Sequence, residues 1–167
     1  MARFAVGLIY AMGAEGLRGY ARVVYNVDLT LDEAQRFRST FFEVYCGIAA
    51  WHRSVYDQKS RETRTLIGRG RLWNETPKIT ALYNSPVQGI AADITKKALS
   101  LLPQRLADTG AKIIGTVHDE IILEVRNEMA REAAVILDET MIQAGKVYLG
   151  KVPVEVEITI GETWSEK

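Results

Sequence analysis

The chain is poor in cysteine, histidine and proline, with one, two and four in 167 residues, and it carries no net charge. Each scarcity closes off a class. Cys46 alone cannot form an internal disulfide framework, which fits a reducing compartment and a cytoplasmic location, and a small buried apolar role is expected for it. His52 and His118 are the only histidines, and with no cysteine partner at ligand spacing they argue against zinc. Lys plus Arg and Asp plus Glu number 21 each, so the whole-chain charge gives no pull toward nucleic acid, membranes or acidic ligands. No run approaches 18 consecutive apolar residues, and the N-terminal MARFAVGLIYAMGAEGLRGYA is broken by Gly7 and Gly13, so it reads as a fold element and no membrane partner is expected. Repeats, low-complexity tracts and linkers rich in Pro or Ser are also missing. No Ser or Cys sits in a strained elbow motif, which leaves little for nucleophilic catalysis.

What remains is 47% hydrophobic sequence arranged at helical and strand periods, enough for one domain core or a piece of a larger one. Phe4, Leu8, Ile9, Met12 and Leu17 fall near one stripe, predicting a helix to about Tyr20. Thr30 and Glu33 have capping-box spacing and open a second helix with Ala34, Phe37, Phe41 and Val44 inward. A further helix after Gly47 is expected to carry Ile48, Trp51 and Val55. Gly68 and Gly70 bracket Arg69 in TRTLIGRGRLW, predicting a hairpin or bulge. A long helix starts near Pro86, with Ile90, Ile94, Leu99 and Leu102 inward, a kink or end at Pro103 and Gly110 as its closing residue. KIIGTV and IILEV read as two strands meeting at His118 and Asp119. Asn127 is placed as the cap of a last helix to about Leu149 with Ala130, Ala134, Leu137 and Met141 inward. VPVEVEITI alternates apolar and polar residues as a strand with one wet face. The fold class expected is α+β, a helical segment followed by an antiparallel sheet with covering helices.

Two features point to chemistry. Between Trp51 and Thr80 seven basic residues stand against three acidic ones, a face that suits phosphate or simply solvent. In GTVHDEIILEV, His118, Asp119 and Glu120 interrupt two apolar runs. At a hairpin tip a carboxylate is held rigidly, and oxygen ligands of this kind suit Mg²⁺, which takes its remaining ligands from water and substrate phosphate. Asp119 is the direct ligand on this reading, with Glu120 behind it. The alternative is that the three residues merely solvate a turn, where Asp is favoured.

VHDEIILEV resembles the third conserved motif of family A DNA polymerases. GLIYAMGAEGL resembles the end of that family's nucleotide-binding fingers helix, and NSPVQGIAADITKKAL its palm helix; TLIGRGR and VPVEVEITIGETW follow in the family's order. The resemblance covers essentially the whole chain and implies the C-terminal part of a polymerase domain, with residues 1–60 as a helical fingers-like segment and 61–167 as a palm-like segment with a partial antiparallel sheet. It implies catalytic roles for Asp119, the metal ligand, and Glu120, its less critical neighbour. His118, Gln88 and Asn84 match nucleic-acid contacts, and Tyr10 the residue beside the templating base. Arg69 and Arg71 are expected to meet backbone phosphate. Mg²⁺, primer-template DNA and a dNTP are the implied cofactor and partners.

The sequence also departs from the family pattern. Ala2 stands where a triphosphate-binding Lys is usual, Val6 where an aromatic is, Ala11 where a small Gly follows the tyrosine, and Thr80 where an Arg is frequent. The first motif, Asp-x-Ser-x-x-Glu, is missing; DQKSRETR has its letters at the wrong spacing and in the wrong place. The chain alone is therefore expected not to perform templated synthesis, and to be a truncation, a split-enzyme half or an expressed fragment. A complementary polymerase half is one expected partner. The alternative is a non-catalytic remnant that binds nucleic acid, or an interaction domain that self-associates as a homo-oligomer.

Overall fold

The computed structural model describes residues 2–58, 60–164 and 166, and the side chains of residues 2–4 lie outside that set. Phe4, the side chain at position 2 and Lys59 are thus outside the described residues. The chain forms two compact units, Met1–Val87 and Gln88–Lys167.

In the first unit the sequence stripe becomes two helices rather than one, α1 (Ala2–Ile9) and α2 (Ala14–Tyr25). The break has a specific cause. Met12 N–H bonds the Gly7 carbonyl and Ala11 N–H bonds that of Leu8, the paired bonds of a Schellman motif, and Ala11 takes the left-handed conformation this ending requires. Leu8 and Leu17 then bury together with Ala34 of α3 (Leu31–Val44), and Met12 and Phe41 pack against them. The capping box forms as its spacing predicts: the Glu33 amide donates to Thr30 Oγ1 at 3.2 Å, and Thr30 N–H donates back to the Glu33 carboxylate at 2.8 Å. The inward stripe is narrower than expected, because Phe37 and Val44 are exposed and only Ala34 and Phe41 reach the core. Cys46, at the first position of α4 (Cys46–Gln58), is exposed rather than buried, as no described residue of this helix is fully buried. The predicted hairpin follows as β1 (Glu62–Arg64) and β2 (Gly70–Leu72), closed by Thr65 N–H to Arg69 O and Gly68 N–H to Thr65 O.

Helix α5 (Ile79–Arg105) begins seven residues before the expected start at Pro86 and runs through both Pro86 and Pro103. Each proline removes one i→i−4 bond, a local cost that the packing of the helix outweighs. In the second unit Ala98 and Leu102 of this helix, with Leu106 just beyond its end, bury against Ile121, Ala133 and Ala144, while Ile94 and Leu99 pack at the edge. A short 3₁₀ turn (Ala107–Thr109) and Gly110, with φ 67°, end it where the sequence places the stop. Strands β3 (Lys112–Val117) and β4 (Glu120–Glu124) pair antiparallel, with a bulge that pushes Ile114 out to solvent.

The last helix, α6 (Ala130–Leu149), is not capped by Asn127. Asn127 instead opens a 3₁₀ turn (Asn127–Met129), and Met129 precedes α6 without a side-chain cap. The buried face runs through Ala133, Thr140, Ala144 and Gly145, one residue out of step with the expected Ala130 and Ala134; Leu137 and Met141 pack as predicted. Arg105 donates to Thr140 Oγ1 at 3.1 Å and also to Gln143, which ties α5 to α6. Gly145 is required by packing, because a Cβ there would lie 2.8 Å from Val154 Cγ1. Residues 153–161 pair with no strand among the described residues, which corrects the expected closing strand. Their alternation nonetheless survives: Val154, Val156 and Ile158 are half-buried while Glu155, Glu157 and Thr159 are exposed. The result is α+β, helices with two small antiparallel sheets.

Candidate functional site

Two places gather the residues singled out above. The first is the tip of the β3–β4 hairpin. Val117 pairs directly with Glu120, so His118 and Asp119 alone make the turn. His118 has φ 55°, a left-handed conformation in which a non-glycine side chain is strained, although His tolerates it better than most. Asp119 is therefore a turn residue and not one of an extended pair, and Glu120 is the first residue of β4. All three are exposed. Among the described residues the Asp119 carboxylate has no hydrogen-bond or ion-pair partner, and it is exposed, so its oxygens are available to solvent or ligand. Among the described residues no three His, Cys, Asp or Glu side chains converge as a complete metal cage. The tip instead fits the share of a site that Mg²⁺ draws from a single carboxylate, the rest being water and phosphate oxygen.

The second place is an open groove of about 370 Å³ in the first unit, lined by Tyr10, Trp73, Pro77, Lys78, Thr80, Ala81 and Asn84. It brings together Tyr10 and Asn84, which are far apart in sequence. Tyr10 follows α1 directly and is aimed by the Schellman ending next to it. Its neighbour Ile9 is pinned in turn: His52 Nε2 lies 2.7 Å from the Ile9 carbonyl, which can only accept, so Nε2 carries the proton. The His52 ring stacks on Tyr83, with centroids 4.0 Å apart and planes 2° from parallel, and Tyr83 O–H donates to the His52 carbonyl at 3.1 Å. Burial, with a smaller contribution from Tyr56, pushes the Tyr83 phenol above its ordinary range, so it remains a donor at neutral pH. One stack thus fixes the chain neighbours of both Tyr10 and Asn84. Nothing in the spacing announced this role for His52.

The arginines of the β1–β2 hairpin have local duties. Arg64 pairs with Glu62 at 2.5 Å and donates to the Gly68 carbonyl, and Arg61 donates to the Asn74 carbonyl. Arg71 donates to Ser85 Oγ at 2.9 Å while its guanidinium lies 5.0 Å from the centre of the Trp73 ring. Arg69 is exposed at the hairpin turn. Gln88 is exposed on α5, four residues beyond Asn84. Trp73 and Lys78 line the groove but were not singled out from the sequence. The only signal available for them was membership of the basic, aromatic-bearing stretch.

A family model described as DNA polymerase family A matches residues 3–166. DNA polymerase I of Aquifex aeolicus is 38% identical over 166 residues, covering 96% of this chain and 28% of that protein. The thermostable DNA polymerase I of Thermus aquaticus is 34% identical over 172 residues, covering 95% of this chain and 19% of that one. Among solved structures, the POL domain of Pol1 from M. smegmatis, in complex with DNA primer-template and dNTP, superposes with a TM-score of 0.72 at 29% identity, covering 86% of this chain and 26% of that chain. The chain thus spans about a quarter or less of the length of these relatives. With a match that runs from residue 3 to residue 166, through both the groove and the hairpin tip, this chain belongs to DNA polymerase family A.

Proposed function

We propose that the chain is the C-terminal portion of a DNA-directed DNA polymerase, with residues 1–60 as its fingers-like segment and 61–167 as its palm-like segment. Its partners on this reading are primer-template DNA and a dNTP, the ligands held by the M. smegmatis relative, and its location is cytoplasmic. The observation that carries the reading is Asp119, exposed on a two-residue turn between paired strands and without a partner among the described residues.

Asp119 would hold Mg²⁺, with Glu120 supporting it from the start of β4. Metal held there would supply charge neutralisation on the triphosphate and easier ionisation of the primer hydroxyl. The residues of the chain do the rest. His118 and Gln88 contact the primer terminus and the minor-groove side of the new pair, where hydrogen-bond acceptors occupy similar places in every correct pair. Asn84 contacts primer or template, Tyr10 flanks the templating base, and Arg69 and Arg71 meet backbone phosphate without reading sequence.

Two-metal chemistry needs bridging carboxylates from two places, and these 167 residues supply one. The second must come from a segment outside them. Primer extension by the chain, with and without a supplied polymerase half carrying the Asp-x-Ser-x-x-Glu motif, tests the reading. Extension is expected only with the added half and only while Asp119 is intact. Extension by the 167 residues alone would refute the need for a second carboxylate. A second reading, self-association as an interaction domain, draws on large exposed apolar side chains such as Val23 (85%) and Leu72 (74%). Sedimentation as a clean monomer would dismiss it.

A further inference from the structure

The end of α1 is closed by a residue that its own sequence neighbourhood does not supply. A helix leaves its last four carbonyls without donors from within the helix. Here the Val6, Leu8 and Gly7 carbonyls take the amides of Tyr10, Ala11 and Met12, at 3.2, 3.1 and 2.9 Å. The last, that of Ile9, takes a side chain 43 residues away, the Nε2–H of His52 at 2.7 Å. We propose that His52 is a positioning residue that sets nucleotide specificity: its Nε2–H caps α1 while its ring is clamped on Tyr83, so one imidazole fixes the place of Tyr10 relative to Asn84. The inference rests on the roles proposed above for those two residues, and it assigns the rejection of mispaired nucleotides to a residue outside the groove.

The first support is that His52 is a fixed point and not a follower of α1. Tyr83 holds it twice, donating to its carbonyl at 3.1 Å and stacking on its ring at 4.0 Å. The Phe42 and Trp51 rings lie with centroids 5.2 and 5.4 Å from that of His52, and Trp51 also meets Tyr83 at 5.3 Å. Side chains from α3, α4 and α5 thus surround the ring. The second support is the short lever: Ile9 directly precedes Tyr10 and Tyr83 directly precedes Asn84. A shift at either end of the joint therefore reaches the groove with no intervening residue to absorb it.

The third support is chemical. The joint needs a flat face for Tyr83 and an N–H at the ring edge for Ile9, and an imidazole offers both. Phenylalanine would keep only the face, and glutamine only the donor. Specificity follows from rigidity, because a site rejects a wrong partner only as far as its walls resist the wrong shape. With the α1 cap lost, Tyr10 can yield to a mispair beside it. A correct pair fits whether or not the wall yields.

Two measurements test this. On the chain by itself, amide hydrogen exchange reads the end of α1 and thermal melting reads the fold. On the chain assembled with the half that carries the Asp-x-Ser-x-x-Glu motif, single-nucleotide insertion gives kcat/KM for the correct and for each mismatched dNTP. His52→Phe should speed exchange of the Tyr10, Ala11 and Met12 amides about fivefold, the loss of one neutral hydrogen bond. It should raise kcat/KM for mismatched insertion by a similar factor of about five and leave correct insertion as in the parent. His52→Gln returns an N–H to the Ile9 carbonyl and should restore most of the discrimination. Should His52→Phe fail to melt cooperatively, the smaller His52→Leu carries the same expectation. A folded variant without the donor that keeps parental discrimination, or parental exchange at the α1 end, overturns the inference. Faster exchange throughout residues 5–87 with no rescue by His52→Gln overturns it as well, since His52 would then be a packing residue. The two claims fail separately: a parent assembly that extends no primer defeats the polymerase reading and the specificity claim with it, whereas an active assembly with unaltered discrimination defeats only the role of His52.

Discussion

The hairpin tip and the groove are built by opposite means. His118 and Asp119 owe their placement to two adjacent strands and a two-residue turn, so everything that positions them lies within about a dozen residues of sequence. Tyr10 and Asn84 meet only because α1, α4, the β1–β2 hairpin and the start of α5 come together, with the His52–Tyr83 stack as the joint. Yet the two share one device. At each place one site residue adjoins a non-glycine residue in left-handed conformation, Ala11 beside Tyr10 with φ 68° and His118 beside Asp119 with φ 55°. Such residues cost of order 1–3 kcal/mol and persist only where the surroundings fix them. Asn26, the third such residue, merely ends α2 with φ 52°, so the conformation serves aiming only at Ala11 and His118.

The largest effect expected is chemical and falls on the tip alone. In a polymerase assembled with the missing half, Asp119→Asn should lower kcat by about 10³-fold, the equivalent of several kcal/mol of lost metal-linked stabilisation. Being exposed, the same change should leave the melting temperature of the chain nearly unchanged. Steady-state extension rates and a melting curve on the same preparation check both halves of this claim. A large loss of stability would mean that Asp119 is a structural turn residue, which was the competing reading of the triplet from the outset.

The difference in construction also explains what could be read from the sequence. The Thr30–Glu33 capping box, the β3–β4 pair and the stop at Gly110 are local, and each appears where its spacing puts it. So does the α+β class, since it follows from the order of periodic segments. The groove was half legible: Tyr10 and Asn84 were identified through motif resemblance, but Trp73, Lys78 and the role of His52 depend on tertiary proximity that periodicity does not encode. Pro86 misled because a proline usually marks a helix start, whereas α5 packs well enough to carry it inside. The segment VPVEVEITI misled in another way. Its alternation is real in side-chain burial, but a strand is defined by a partner, and neither small sheet among the described residues provides one.

A substitution in the buried core comes next in size. Leu102, fully buried between α5 and its neighbours, should cost about 2–5 kcal/mol as Leu102→Ala. If the hairpin tip depends on the core beneath it, hydrogen exchange of the β3 and β4 amides should accelerate in this variant. Unchanged protection there would show that the two-residue turn holds the tip by itself, and the contrast with the groove would be sharper still.

Smaller effects test the shared device directly. Ala11→Gly removes the Cβ from a Schellman C′ position and should stabilise the chain by up to about 1 kcal/mol in urea unfolding. His118→Gly should behave similarly at the hairpin, less the entropy that glycine adds to the unfolded chain. A gain at position 11 with a loss at 118 would indicate that the His118 side chain contributes contacts to the tip, and the two strained residues would no longer be equivalent.

The smallest effect is a pH dependence that belongs to the groove's unit. The Glu33 carboxylate accepts from the Thr30 amide and from the Thr30 hydroxyl, each at 2.8 Å. The backbone bond, then the hydroxyl bond, and then Arg36 hold its pKa below the ordinary value of 4.5. A carboxyl with a lowered folded-state pKa adds stability that is fully present above 4.5 and disappears as pH falls through the folded value. Stability of the parent chain should therefore decline more steeply on acidification below that point than stability of Glu33→Gln, in which the reciprocal cap no longer titrates. Thr30→Ala should remove the same pH-dependent component and, in addition, cost about 1 kcal/mol at neutral pH by leaving the first-turn amide without its acceptor. Urea unfolding of the three chains at pH 7 and at successive acidic values measures it. Parallel acid profiles for parent and Glu33→Gln would mean that the cap is energetically silent, and that α3 is held in place by the burial of Ala34 and Phe41 alone.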